Sequence, residues 1–215
     1  MLDRSQPYAG VVFDFDGTLI DSYAAIAASV NFVRGEHGLP ALTAAQVREF
    51  VGRGPDYLLS RTVPHYRPEI DLPRYREHHP SVMLEKTSLL PGAAEVLSTL
   101  HGAGKRLGLC SNKLRIFSTE LLRHLGIADY FEVVLGPEDV ARPKPAPDML
   151  LTALKRLQLP AERVLYIGDM TVDIETARAA GVDVWVVPSG SDDRDTLVAA
   201  RPDRLLESLR DIVAA

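Results

Sequence analysis

Short apolar runs punctuate this chain at uneven intervals. Gly10–Phe13, Arg106–Cys110, 131–135, 163–167 and 182–187 are mostly rich in Val, Ile or Leu and too short for helices. They read as buried parallel strands. Segments near 114–124, 146–157 and 171–180 carry helical character between the later runs. Strand and helix alternate, which predicts an α/β fold: a Rossmann-like parallel sheet with helices on both faces. Residues 203–205 and 206–213 read as a last strand and helix.

The spacing carries a second message. Roughly 90 residues separate the first run from the second, whereas a βαβ unit needs only about 30. An insertion therefore follows the first strand, and 20–88 read as helical throughout. Residues 24–34 are alanine-rich, Thr43 can cap a helix through Phe50, and further helices fall near 55–63 and 73–86, with Pro64, Pro68 and Pro73 as breaks. Pro91-Gly92 opens the helix that returns to the core. The expected division is an α/β core domain of 1–19 and 89–215 and a helical cap domain of 20–88.

Composition narrows the class. Of 215 residues, 46% are hydrophobic and 25% charged, ordinary values for a chain with a real core. The 24 basic and 29 acidic residues give a net charge of −5 with no Lys/Arg run, which argues against a nucleic-acid binder. The lone cysteine, Cys110, excludes an internal disulfide and reads as a buried strand thiol. Residues 1–10 are polar, without the apolar stretch of a signal peptide, and no run approaches the ~18 apolar residues of a membrane span. The expectation is a cytoplasmic protein with no membrane partner.

Ligands of parallel α/β sheets bind at the carboxyl ends of the strands, and polar residues gather there. After the first run comes Asp14-Phe15-Asp16-Gly17-Thr18. Residues i and i+2 of an extended segment face one side, so two carboxylates converge. A Mg²⁺ ion would relieve their repulsion; a turn whose aspartates cap backbone amides is the plain alternative. Ser111-Asn112-Lys113 follows the second run and suits a phosphate oxygen, or simply an N-cap. Lys144 sits between Pro143 and Pro145, which restrict where it points. Asp169 and Asp173 follow the fourth run, the latter in a first helical turn that favours acids in any case. Four such signals at successive strand tips place carboxylates, a hydroxyl and a lysine together, as metal-assisted phosphoryl transfer requires. The six histidines show no ligand spacing, and His78-His79 reads as solvated surface.

Asp14-Phe15-Asp16-Gly17-Thr18-Leu19, Ser111, Lys144 and Gly168-Asp169 with Asp173 resemble, in order, the four motifs of the haloacid dehalogenase superfamily. Val51-Gly52-Arg53-Gly54, Leu90-Pro91-Gly92 and Ser111-Asn112-Lys113 resemble its phosphoglycolate phosphatase-like group; Met170 departs from it, standing where a small hydroxyl residue is usual. The resemblance implies a phosphoric monoester hydrolase that requires Mg²⁺. Asp14 would be the nucleophile, Asp16 the general acid and base, and Ser111 and Lys144 the phosphoryl holders. Asp14, the Asp16 carbonyl and Asp169 would ligate the metal, with Asp173 in support. Gly17, Thr18 and Asn112 would join Ser111 and Lys144 around the substrate. The turn Gly52-Arg53-Gly54, between two predicted cap helices, can approach the first strand tip closely, so Arg53 is expected to contact the leaving group, with a solvated arginine in a hinge-like turn as the plain alternative. The implied partner is a small phosphate monoester, met by a monomer or homodimer. Asp16 separates the chain from dehalogenases, which lack an acid there. Ile26 stands where sugar phosphomutases carry a cap histidine, so a mutase is the weaker reading. A non-catalytic phosphoacceptor module is disfavoured by the length and the insertion, and a silent binding protein on the same fold by the intact set of acids.

Overall fold

The computed structural model describes residues 8–213; the polar residues 1–7, read above for a signal peptide, lie outside them. The first strand, β1 (Gly10–Phe13), is followed by β2 (Ile20–Asp21) and five helices: α1 (Tyr23–Glu36), α2 (Ala44–Arg48), α3 (Pro55–Thr62), α4 (Pro68–His78) and α5 (Pro80–Met83). The chain then runs through β3 (Ser88–Leu89), α6 (Ala93–Gly102), β4 (Arg106–Cys110), α7 (Arg115–His124) and β5 (Val133–Leu135). It finishes with α8 (Asp148–Leu157), β6 (Val164–Gly168), α9 (Thr171–Ala180), β7 (Asp183–Val186), α10 (Arg194–Ala200) and β8 (Arg204–Leu205).

Six strands form one parallel sheet in the order β5-β4-β1-β6-β7-β8. The alternation of side chains explains why both faces are buried. Val11, Phe13, Leu107, Leu109, Leu165 and Ile167 point to one face, under Leu97 of α6 and Leu121 of α7. Val12, Cys110, Val164 and Tyr166 point to the other, under α8 and α9. The Cys110 thiol is fully buried, and burial pushes it up to about 12. The chain reaches β4 and β5 on one side of β1 and β6, β7 and β8 on the other. That reversal opens a crevice at the carboxyl end of β1.

The helices between β2 and β3 have a core of their own, built on Val30, Val33, Val47, Leu59 and Tyr75. Three expectations change here. The segment 20–88 is not helical throughout: its two ends pair as an antiparallel neck, Ile20 with Leu89 and Asp21 with Ser88. Pro68 and Pro73 do not break a helix. Pro68 opens α4 at its first position, where the missing N–H has no partner to lose. Pro73 lies inside α4 on an exposed face, where water can replace the forfeited bond. And the end of the chain forms α10 and a short 3-10 turn, Leu209–Ile212, instead of a helix over 206–213. No helix among the described residues is long and apolar enough to cross a membrane.

Two contacts fix the helical insertion over the sheet's carboxyl edge. Gly52 turns with φ 113, and a Cβ there would lie 2.1 Å from Met170 Sδ, so the thioether occupies the space that glycine leaves. Arg48 donates from Nε to the Gly190 carbonyl at 2.9 Å and from Nη2 to the Ser189 carbonyl at 2.8 Å. Its guanidinium also lies 4.6 Å from the centroid of the Tyr23 ring. Arg48→Ala removes these charge-assisted bonds and is expected to lower the unfolding free energy by about 1–3 kcal/mol. A urea midpoint equal to that of the wild type would show that the bonds contribute nothing net.

Candidate active site

The polar residues expected at the strand tips do converge. Asp14 follows β1, Ser111 follows β4, Lys144 lies in the loop after β5, and Asp169 follows β6. Each is nearly inaccessible to solvent.

Lys144 is the centre of the arrangement. Its Nζ lies 2.8 Å from Asp14 Oδ1 and 2.7 Å from Asp173 Oδ1. Nζ also donates to the Tyr166 hydroxyl at 3.1 Å, and that hydroxyl lies 3.1 Å from Asp173 Oδ1. Burial pulls the lysine towards neutrality, but Asp14 and Asp173 outweigh it and hold the ammonium above its ordinary range. The backbone of Lys144 is gripped by Asn112, whose Oδ1 accepts its N–H at 3.1 Å and whose Nδ2 donates to its carbonyl at 3.0 Å. The second Nδ2 hydrogen goes to the Gly52 carbonyl at 3.0 Å. Asn112, expected among the substrate-binding side chains, thus spends its whole amide on positioning.

Asp169 is held by a different pair. Thr18 donates to its Oδ1 at 2.6 Å. Gly17, with φ 84, passes so close that a Cβ would lie 2.6 Å from Asp169 Oδ2. That Oδ2 is buried with no hydrogen-bond partner. Burial, and then the charges of Asp173 and Asp14, push Asp169 well above the usual carboxylate range. Asp173 uses both oxygens: beyond Lys144 and Tyr166, its Oδ2 accepts the N–H groups of Asp169 and Met170 at 3.2 and 3.1 Å. Its contacts are those of a residue that orients the others.

Ligand atoms of Asp14, Asp169 and Asp173 lie within 4.8 Å of one another. With all three ionised, three carboxylates facing one ammonium would leave two negative charges in a buried space, the complement of a divalent cation. Asp14 Oδ1 is paired to Lys144 by distance, but no donor is aligned on it in hydrogen-bond geometry. Together with the orphaned Asp169 Oδ2 this gives oxygen atoms free to ligate, so the residues present fit a hard cation such as Mg²⁺.

Asp16 stands apart from that cluster. Its carboxylate accepts from Lys113 Nζ at 3.1 and 3.2 Å and from the Ser22 hydroxyl. Asp14 and Asp16 therefore escape mutual repulsion by taking one lysine each. Both line a pocket with Ser111, roofed by Val51, Gly52 and Leu58 of the insertion. Arg53, expected at the leaving group, is exposed, lies 5.9 Å from the Tyr57 ring centroid and is not among the residues lining the pocket. His79 does line it. Far from solvated surface, it is 1% exposed. Sequence reasoning missed the roles of Lys113, Tyr166 and His79. The first sat inside a motif already singled out, whereas the other two gave no local signal.

Burial, opposed by Lys144 and reinforced by Asp173, raises Asp14 from 3.8 to about 6. The folded state thus holds this proton more tightly than the unfolded chain. Asp14 favours folding most below pH 4, and the contribution is lost as pH rises through about 6. Without divalent cations, the unfolding free energy of the wild type minus that of Asp14→Asn is expected to fall by about 3 kcal/mol at most between pH 4 and 7. A difference that stays level or rises across that window would contradict the assignment.

A model of the haloacid dehalogenase-like hydrolases matches residues 11–187. The phosphoglycolate phosphatases of Salmonella typhimurium and Escherichia coli (strain K12) are 33% and 31% identical, in alignments covering 100% of this chain and 94% of each relative. Among solved structures, a haloacid dehalogenase-like hydrolase from Bacteroides fragilis superposes with a TM-score of 0.89 at 33% identity, covering 95% of this chain and 99% of that one. The order of the strand-tip residues, the insertion after β1 and these matches agree, and the protein belongs to the haloacid dehalogenase-like hydrolase family.

Proposed function

We propose that the protein is a Mg²⁺-dependent phosphatase that hydrolyses a small phosphate monoester through a phosphoaspartyl intermediate on Asp14. The observation that carries this reading is the Lys144 ammonium locked between Asp14 and Asp173, beside the orphaned oxygen of Asp169. A buried carboxylate is a poor nucleophile toward a phosphate dianion until positive charge offsets the repulsion. Lys144 supplies one such charge at Asp14. Asp14, Asp169 and the Asp16 carbonyl would hold Mg²⁺, with Asp173 behind them; the ion would neutralise charge on the phosphoryl oxygens.

In the first step an Asp14 oxygen attacks phosphorus and the ester P–O bond breaks, its electron pair going to the leaving oxygen. Asp16, in the same pocket, would enter this step protonated and give that oxygen its proton, which it recovers from water in the next. In the second step water attacks the phosphoaspartate, Asp16 takes the water's proton, and inorganic phosphate leaves with Asp14 regenerated. Ser111 and Lys144 steady the phosphoryl oxygens throughout. The helices of 20–88 act as the cap that shields this chemistry from bulk water.

The names of the full-length relatives make 2-phosphoglycolate the first substrate to test. Ile26 forms part of the pocket wall, so the position where phosphomutases carry a histidine offers nothing to shuttle a proton or phosphate. Continuous release of many phosphates per protein also separates the enzyme from a phosphoacceptor module.

Asp14→Asn is expected to remove turnover, lowering kcat by roughly 10³-fold or more, while the far-UV spectrum stays native. Excess EDTA should silence the wild type and added Mg²⁺ restore it; Asp169→Ala should need a higher Mg²⁺ concentration for half-maximal activity. Steady hydrolysis of phosphoglycolate by folded Asp14→Asn protein, or full wild-type activity in EDTA, would sink the mechanism.

A further inference from the structure

One member of the pocket wall has no part in the chemistry above. His79, between α4 and α5, lines the cavity that holds Asp14 and Ser111. Its ring stacks on Tyr75, with centroids 5.4 Å apart, and tilts against Phe117 at 5.3 Å. Nδ1 lies 3.0 Å from the Ser29 hydroxyl. Nε2 is buried and has no hydrogen-bond partner. An unsatisfied buried nitrogen is costly and uncommon, and on a residue that lines a ligand cavity it can find its partner in what enters that cavity.

The electrostatics say what kind of partner. Burial, and then Lys113 and His78, push the His79 imidazole down to about 2, so it meets a ligand as a neutral hydrogen-bonding group. If the Ser29 hydroxyl donates to Nδ1, the proton sits on Nε2, which then donates. Ser29 can instead donate to the Ala25 carbonyl, 3.2 Å away, and accept from Nδ1–H, which makes Nε2 an acceptor. Both arrangements use the same heavy-atom positions. The same cavity is lined by the apolar Ile26, Leu58 and Phe117 and by the charged Asp16, Arg76 and Lys113, so a neutral nitrogen among them can read a ligand's polar group by hydrogen bonding. The cavity volume is about 50 Å³, which suits a small ligand.

We propose that His79 is the specificity-determining residue of the cap, its Nε2 hydrogen-bonding an oxygen substituent on the short carbon skeleton of the ester. The assignment rests on the phosphatase reading. Carboxylate and hydroxyl share the necessary chemistry: the first accepts from Nε2–H, and the second donates to Nε2.

Three esters on one two-carbon skeleton test this: 2-phosphoglycolate carries a carboxylate, 2-hydroxyethyl phosphate a hydroxyl, and ethyl phosphate neither. The wild type with Mg²⁺ is expected to prefer one of the first two over ethyl phosphate in kcat/KM, and which one identifies the group recognised. His79→Phe keeps an aromatic ring and loses both nitrogens, and should shrink that preference by roughly 10-fold or more. His79→Gln places an amide near the Nε2 position and should restore part of it. His79→Asn places its amide near Nδ1, keeps the Ser29 bond and should not. A purely structural role predicts the opposite order, with Asn the better replacement, and this pair decides the matter even if the phenylalanine variant fails to fold. Folded His79→Phe protein with the wild-type preference, or Asn matching Gln, would overturn the assignment. A wild type that hydrolyses ethyl phosphate as well as the other two overturns it while leaving the phosphatase reading intact. A wild type that releases phosphate from none of the three removes both.

Discussion

The Lys144 ammonium, buried between Asp14 and Asp173, is the charge around which the strand tips are arranged. Removing a charged nitrogen from water costs several kcal/mol unless partners surround it. Here two carboxylates and the Tyr166 hydroxyl do so. Loss of the lysine would leave buried carboxylates without their counter-charge, worth about 3–5 kcal/mol in comparable cases. Other features follow from this demand. Tyr166 keeps a polar tip deep in a central strand because the lysine and Asp173 are there to meet it. Asp173 has no free oxygen because four neighbours use the two it has.

Charge balance also sorts the acids into two groups. Asp16 is neutralised locally by Lys113, and so stands as a self-contained pair beside the pocket. Asp14, Asp169 and Asp173 share one ammonium, so when all three are ionised they are two charges short of neutrality. A site that is balanced in one half and unbalanced in the other has a defined place for a cation, and the imbalance lies where a nucleophile must approach an anion.

The parallel strands, the insertion and the strand-tip carboxylates were legible in the sequence because each is written locally. A run such as Val11-Val12-Phe13 buries both faces of a strand, and Asp14 and Asp16 announce themselves by adjacency. The neck joining Ile20 to Leu89 was not legible, since a two-residue strand has no periodicity and its partner lies some seventy residues away. Arg53 misled for a related reason. Two flanking glycines permit close approach, and they do line the pocket, but they say nothing of where the side chain between them points. His79 misled in the opposite sense: its polarity suggested solvent, and only the tertiary stack of Tyr75 and Phe117 buries it.

One small bridge joins these parts. The Asn112 amide holds the Lys144 backbone with two bonds and the Gly52 carbonyl with a third. The roof of the pocket and the backbone of its buried cation therefore share a single planar group, which cannot rotate to follow one without straining its hold on the other. Any displacement of the Gly52 turn, whether by thermal motion or by an arriving molecule, is felt at Lys144 with no further intermediary. The roof of the pocket and the backbone that carries its charge are thus tied through this one side chain.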